Sequence, residues 1–343
     1  MIKHSKSVVI HKFGGYDVLK IEDYSLPDLK DKIEVEVYYC GLNFCDIYKR
    51  LGFFNKPLPF VMGSEACGVI TDLGLKTDQF QIGDRVICYD FEEGMYRTIL
   101  RTSPEKCFKI PDEIPMEDGA AIFLNYLTAY FALFELGGIK SGFNVFIKSC
   151  GGGFGCAATQ LARTVKNVTI YGVVSKGKEQ QVQQNGVNFV YNNESDYLNE
   201  AKKDCPEGFD LILDNESGSW LNEGCKVLKF FGKIVVLSAN SMINNPNSIS
   251  LFSKLKLFVG VLSFQLSSLM NKSNSVCGLH TGNLVRENRK RVLECLNVIF
   301  DLYKNGEIKP KIDSIWPMEE VVQASKVLGE RRNVGKVLLK TRN

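Results

Sequence analysis

The stretch "SCGGGFGC" (149–156) places four glycines in eight positions between the apolar run "NVFIK" (144–148) and the helix-like "AATQLAR" (157–163). Strand, glycine turn and helix in that order form a phosphate-binding element. Turn glycines let the backbone approach a pyrophosphate, and the free N–H groups and dipole of the helix N-terminus favour its charge. Two registers fit the G-x-G-x-x-G pattern imperfectly, one through Cys150, Gly152 and Gly155, the other through Gly151, Gly153 and Cys156. Cys150, Gly151, Gly152, Gly153, Phe154 and Gly155 are the cofactor-binding residues expected from this loop.

Outward from the loop, short apolar strands alternate with helical stretches: "NVFIK", "VTIYGVV", "VNFVY", "DLILD", "KIVVL" and "SVCGLH". Connections long enough for βαβ crossovers predict a doubly wound parallel sheet, an α/β Rossmann unit. Between two of these strands, "WLNEGCKVLKFFG" (220–232) reads as a helix stopping at Gly232. In "VRENRKRVLECLNVIFDLYKNG" (285–306), Val292, Leu296, Ile299 and Tyr303 recur at helical spacing, with Gly306 as the stop. Upstream of Asn125, alternation in "KIEVEVYY" and the turn signals "FGGYD", "SLPD" and "QIGD" predict a strand-rich, barrel-like unit. The C-terminal "GKVLLK" is β-like and is expected to return to that unit.

The second Rossmann strand decides which dinucleotide fits. An NAD site places Asp or Glu near its end, about 20 residues beyond the glycines, to accept the ribose hydroxyls. Here "VTIYG" is followed by "VVSKGKE". Ser175, Lys176 and Lys178 therefore stand where a 2′-phosphate would lie, with no acid to repel it, and NADPH is the expected cofactor.

Composition narrows the function classes. With 343 residues, 45% hydrophobic and 24% charged, the chain is long enough for two domains of ordinary globular make-up. A net charge of +3 without basic runs gives no footprint for nucleic acid, so small neutral or anionic ligands are expected. The eleven cysteines are dispersed, none in a C-x-x-C, and His4, His11 and His280 do not cluster with them, so the cysteines read as thiols and zinc has no sequence support. The start lacks the apolar core of a secretory signal, and a cytoplasmic location is expected. The segment 251–270, "LFSKLKLFVGVLSFQLSSLM", is interrupted by Lys254, Lys256 and several serines. Such a run does not easily span a bilayer; it reads as a helical segment at a subunit contact or over a pocket, with peripheral membrane contact as the alternative.

Several stretches together resemble the medium-chain dehydrogenase/reductase superfamily: "YCGLNFCDIYKRLG", "PFVMGSEACGVITDLG", "FQIGDRV", "NYLTAYFALFELGGIKSGFNVFIKSCGGGFG" and "NVGKVLL". The match covers nearly the whole chain. "VSKGKEQQVQQNGV", "VCGLHTGNL" and "GEIKPKIDSIWP" resemble the vesicle-membrane-protein subgroup of its zinc-free quinone-oxidoreductase branch. The resemblance implies a GroES-like β-barrel catalytic domain formed by residues 1–124 and completed by 281–343, around a Rossmann NADPH-binding domain at 125–280. Where zinc-dependent members carry metal ligands, this chain has Asn43, Ser64 and Leu124, and the four-cysteine lobe is missing.

What the resemblance then implies is zinc-independent hydride transfer from NADPH to quinones or α,β-unsaturated carbonyls. It places Asn43, Tyr48 and Thr128 at the nicotinamide and substrate pocket, with Asn43 and Tyr48 as the catalytic pair and Asn43 and Thr128 also touching cofactor. Tyr48 would hydrogen-bond a quinone oxygen or pack in the barrel wall. Asn192 replaces an adenine-stacking tyrosine, Phe54 a second pocket tyrosine, and Ser238 a glycine beside the cofactor; Asn333 completes the cofactor set. Asp46 reads as an orienting carboxylate or a turn stabiliser, Glu65 as structural, and Lys148 as a strand-end charge. A homodimer joined through "SVCGLH" is expected. The alternative is a non-enzymatic protein on vesicle or mitochondrial outer membranes that retains a nucleotide site.

Overall fold

Alternation organises the first third. In "IEVEVYYCG" the side chains of Ile33, Val35 and Val37 fall on one side and are fully buried, which makes this run a central strand. A computed structural model of the chain describes residues 3–75, 77–218, 220–238, 240, 243, 245–248 and 266–342. The first unit contains β1 (His4–Ile10), β2 (Lys20–Ser25), β3 (Ile33–Gly41), β4 (Phe60–Val61), β5 (Glu65–Leu73), β6 (Arg85–Tyr89), β7 (Ile99–Thr102) and β8 (Cys107–Lys109). The short helix α1 (Phe44–Arg50) follows β3, and α2 (Met116–Tyr130) leaves the unit.

The second unit follows the alternation of strand and helix. Its strands are β9 (Asn144–Lys148), β10 (Thr169–Val174), β11 (Phe189–Asn192), β12 (Phe209–Asp214), β13 (Leu228–Val236) and β14 (Ser275–Gly278). Between them run α3 (Gly153–Arg163), α4 (Glu179–Asn185), α5 (Tyr197–Asp204), α6 (Trp220–Lys226) and α7 (Leu266–Met270). All six strands are parallel, in the order β11-β10-β9-β12-β13-β14. Both faces are covered, so Val145, Phe146 and Ile147 are fully buried and the strands read as unbroken apolar runs. The order reverses between β9 and β12. A crevice opens at the carboxyl ends of the strands at such a point.

Helices α8 (Thr281–Glu287) and α9 (Arg289–Lys304) follow, and then β15 (Ile312–Pro317), α10 (Val321–Gly329) and β16 (Lys336–Lys340). The tail returns as expected: β16 pairs antiparallel with β3, and Val337 and Leu339 join Val8, Val35, Val86 and Leu100 in the barrel core.

One expectation changes, and two bounds fall on particular elements. Residues 124 and 125, where the two domains are expected to meet, lie in the middle of α2. Within the expected 281–343 part, Val292, Leu296 and Ile299 of α9 pack in the same core as Phe123 and Leu127 of α2 and Val145 and Ile147 of β9, and pairing with the barrel strands resumes at β15. The run "WLNEGCKVLKFFG" is helical only to Lys226; Leu228–Val236 is strand, because Leu228, Ile234 and Val235 are fully buried in pairing with β12 and Gly232 lies inside the strand. Residues 116–136 form the one stretch, among the described residues, long and apolar enough to cross a membrane, yet 61% of its apolar window is buried as the core helix. The membrane-contact reading of 251–270 falls mainly on 251–265, outside the described residues; Met270 at its end is exposed.

Candidate functional site

The glycine loop follows β9 directly, and the structure selects its register. Cys150 is fully buried and packs where a Cβ on Gly172 would be 2.5 Å from its Sγ, so the cysteine is accommodated by a glycine on β10. A Cβ on Gly155 would collide with the carbonyl oxygen of Ser149, which fixes Gly155 as the residue of close helix approach. The register is therefore Cys150-x-Gly152-x-x-Gly155, and Cys150 contributes packing rather than cavity wall.

Gly152 differs from its neighbours. It caps α3 with φ −73°, a value open to any residue, and a Cβ there would meet only the Ser149 carbonyl oxygen, at 3.8 Å. Neither conformation nor protein packing requires glycine at this position. The space a side chain would fill opens into a cavity of about 380 Å³, which fits a cradle kept free for a ligand's phosphate. The tail braces the loop, since Gly335 N donates to Gly151 O at 2.9 Å.

Of the residues expected at the site, Asn43, Tyr48, Thr128, Gly151, Gly152, Gly153, Phe154, Gly155, Ser175, Lys178, Ser238 and Asn333 line this one cavity. Asn192 does not. Its side chain accepts from Glu194 N at 2.8 Å and stabilises its own turn, while Asn193 faces the cavity instead. Phe54 sits outside the lining, in a row of rings in which Tyr48, Phe53, Phe54 and Phe91 follow one another at centroid distances of 5.0 to 5.5 Å.

Asn43 lies two residues past β3 and opens α1, where its backbone N–H donates to Asp46 Oδ2 at 3.0 Å. Its amide is committed on both sides: Nδ2 donates to Glu65 Oε1 at 2.7 Å, and Oδ1 accepts from Lys336 Nζ at 2.7 Å. Lys336 and Glu65 are themselves an ion pair, 3% and 1% exposed. Glu65 is thus a partner of the site. Asp46 takes both roles given to it: besides capping α1, it accepts from Ser64 Oγ at 2.9 Å and Tyr96 OH at 2.7 Å.

The positions of zinc ligands in relatives are occupied differently here. Asn43 Oδ1 faces an ammonium, Ser64 Oγ accepts from Lys49 Nζ at 2.8 Å, and Leu124 offers only alkyl and a backbone N–H. Two cations and no thiolate or imidazole form a donor set that does not fit Zn²⁺.

Tyr48 projects from α1, and its hydroxyl donates to Asn240 Oδ1 at 3.0 Å. The Ser238 hydroxyl lies 2.6 Å from the same oxygen and 2.9 Å from Asn215 O. Burial holds the Tyr48 phenol well above its ordinary pKa, so it is a neutral donor. Thr128 and Thr281 share a hydroxyl contact of 2.9 Å.

At the other end, Lys178 donates to Arg331 O at 2.5 Å and Asn333 O at 2.8 Å, which leaves one proton of its ammonium for a ligand. Around the cavity stand Lys148, Lys178, Arg331 and Lys336, against Glu216 as the one acid among the described residues. Sequence reasoning missed Lys336, Lys49, Arg331, Asn240 and Glu216. Only Lys336 had a local signal, in the run "NVGK".

The comparisons agree with this architecture. Residues 30–112 match the alcohol dehydrogenase GroES-like domain family, and residues 185–339 match the zinc-binding dehydrogenase family. The rat synaptic vesicle membrane protein VAT-1 homolog is 34% identical over 340 residues, covering 97% of this chain and 83% of the relative. Quinone oxidoreductase of Pongo abelii is 30% identical, covering 94% and 93%. The crystal structure of Escherichia coli quinone oxidoreductase complexed with NADPH superposes with a TM-score of 0.84 at 24% identity, covering 98% and 99%. The chain belongs to the medium-chain dehydrogenase/reductase superfamily of oxidoreductases, in its zinc-free quinone-oxidoreductase branch and with the VAT-1 homologs within it.

Proposed function

We propose that this protein is a zinc-independent, NADPH-dependent oxidoreductase that reduces quinones or α,β-unsaturated carbonyls. The observation that carries this reading is the crevice itself, where Lys178 and Arg331 line the wall in addition to Lys148 and Lys336, which pair with Glu216 and Glu65, and where the space beside Gly152 is left open by the protein. The N–H groups at the start of α3 would hold the pyrophosphate, and Ser175 and Lys178 the 2′-phosphate. The preference for NADPH over NADH rests on these two residues. Bound there, the nicotinamide supplies a hydride.

The residues around the acceptor then have defined tasks. Asn43, locked by Lys336 and Glu65, shapes the pocket and offers no free donor of its own. Tyr48 is the nearby neutral donor; turning its hydroxyl from Asn240 toward an acceptor oxygen would stabilise the charge that develops there. An acceptor of this class needs no metal to polarise it, which agrees with the donor set at Asn43, Ser64 and Leu124. The test is a parallel titration with NADPH and NADH followed by turnover of a quinone panel. Tighter NADPH binding with quinone-dependent loss of nicotinamide absorbance is expected; absence of both removes the proposal.

A second reading is favoured by the naming of the VAT-1 relatives as synaptic vesicle membrane proteins. In it the chain associates peripherally with vesicle or mitochondrial membranes through 251–270, and the nucleotide site is retained beside that role. Flotation with anionic liposomes that is lost on changing Phe258 and Leu262 to Asp supports it; no flotation removes it. A homodimer built through the outer edge of β14 is proposed for either reading, with light scattering at two concentrations as its test.

A further inference from the structure

Two hydroxyls in the cavity wall share one acceptor. Tyr48, on α1 of the first unit, donates to Asn240 Oδ1 at 3.0 Å, and Ser238 Oγ donates to the same oxygen at 2.6 Å. Ser238 and Asn240 belong to the second unit, two and four residues past β13, and all three residues line the cavity. Asn240 is held through its backbone. Its N–H donates to Asn215 O at 3.0 Å, and its carbonyl accepts from Arg331 Nη2 at 3.4 Å.

The two donors are not equivalent. A carbonyl oxygen has two lone pairs and takes both, but each hydroxyl carries a single proton. Ser238 has a second acceptor in reach, Asn215 O at 2.9 Å, so its proton has two places to go. While Tyr48 donates to Asn240, the serine can donate to either oxygen. Once the phenol turns into the cavity, Ser238 alone can keep Asn240 Oδ1 satisfied, since no third donor to that oxygen stands among the described residues. Without the serine hydroxyl, the same turn would leave the carbonyl oxygen unpaired in a site that bound ligands close to water, and an unmet acceptor opposes the turn.

We propose that Ser238 is a positioning residue for Tyr48: it takes over from the phenol as the donor to Asn240 and so frees the Tyr48 proton for the oxygen of the electron acceptor. This rests on the reading above, in which Tyr48 donates to that oxygen. No bond to hydrogen breaks in the exchange; both hydroxyls rotate about their C–O bonds and keep their protons. The role differs from contact with the cofactor, which the resemblance gives this position.

The experiment is a double-mutant cycle in quinone turnover at saturating NADPH, with Ser238→Ala and Tyr48→Phe. Alone, Ser238→Ala should lower kcat by about tenfold. In the Tyr48→Phe background, where there is no phenol proton to free, it should change kcat by less than about twofold. Ser238→Gly removes the same hydroxyl and should repeat both results. NADPH affinity, read by calorimetry, should move by less than about twofold in either serine variant, because the lost interaction serves the reacting step. A readout without cofactor is the exchange of the Tyr48 hydroxyl proton with water, followed by NMR and assigned by its absence in Tyr48→Phe. With Ser238 gone the phenol is the one donor left to Asn240, and exchange should slow by about fivefold or more. Equal losses of kcat in the two backgrounds, a loss accounted for by weaker NADPH binding, or unchanged proton exchange overturns the proposal and leaves the oxidoreductase reading standing. Absence of quinone turnover in the unmodified chain overturns both.

Discussion

The Lys336 ammonium donates to Asn43 Oδ1 at 2.7 Å, joining the last strand of the barrel to the residue that opens α1 in the cavity wall. Because Lys336 also pairs with Glu65, and both are almost fully buried, the three side chains act as one unit. Lys336→Met should cost about 3–5 kcal/mol, since it strands a buried carboxylate. Pairing it with Glu65→Met should recover most of that loss in denaturant unfolding. An equal loss in the single and double variants would show that the charge pair is not the cause.

Two glycines of one loop should respond oppositely to alanine. Gly152→Ala meets nothing closer than 3.8 Å, so stability should stay within about 0.5 kcal/mol while the methyl group enters the phosphate cradle and weakens NADPH binding by at least about tenfold. Gly155→Ala drives a methyl into the Ser149 carbonyl and should destabilise the fold itself. Thermal unfolding and cofactor titration of both variants separate the two effects.

Lys178→Ala should discriminate between cofactors. Loss of one ammonium proton aimed at a 2′-phosphate predicts NADPH binding weaker by about tenfold, with NADH changed by less than about threefold. A uniform loss for both would assign Lys178 to bracing the carbonyls of Arg331 and Asn333 alone.

Tyr48→Phe keeps the ring packing and removes only the donor, so quinone turnover should fall by about ten- to a hundredfold with NADPH affinity unchanged. The pH dependence follows from the direction of the shift. Burial raises the phenol pKa above its usual value of 10, so the neutral donor persists through the alkaline range and the rate should show no break from this residue below pH 10. A Tyr48-dependent break between pH 7 and 9 would count against that environment.

The sequence determined the sheet and the direction of the crevice. Val145, Phe146 and Ile147 are buried on both faces and Ile33, Val35 and Val37 on one, and each pattern is written directly in residue order. It determined the glycine loop and the serine and lysines after β10 for the same reason, since a turn and the helix it opens are local. It misread 228–232, where burial against β12 outweighed a local helical pattern. Only the tertiary structure decided which loop register applies, because Cys150 fits only against Gly172 on another strand. It alone brought Lys336 to Asn43, 293 positions apart, and Glu216 to Lys148. Periodicity reports which side of an element is buried, but side-chain partners are set by how the chain returns, and no local pattern records that distance.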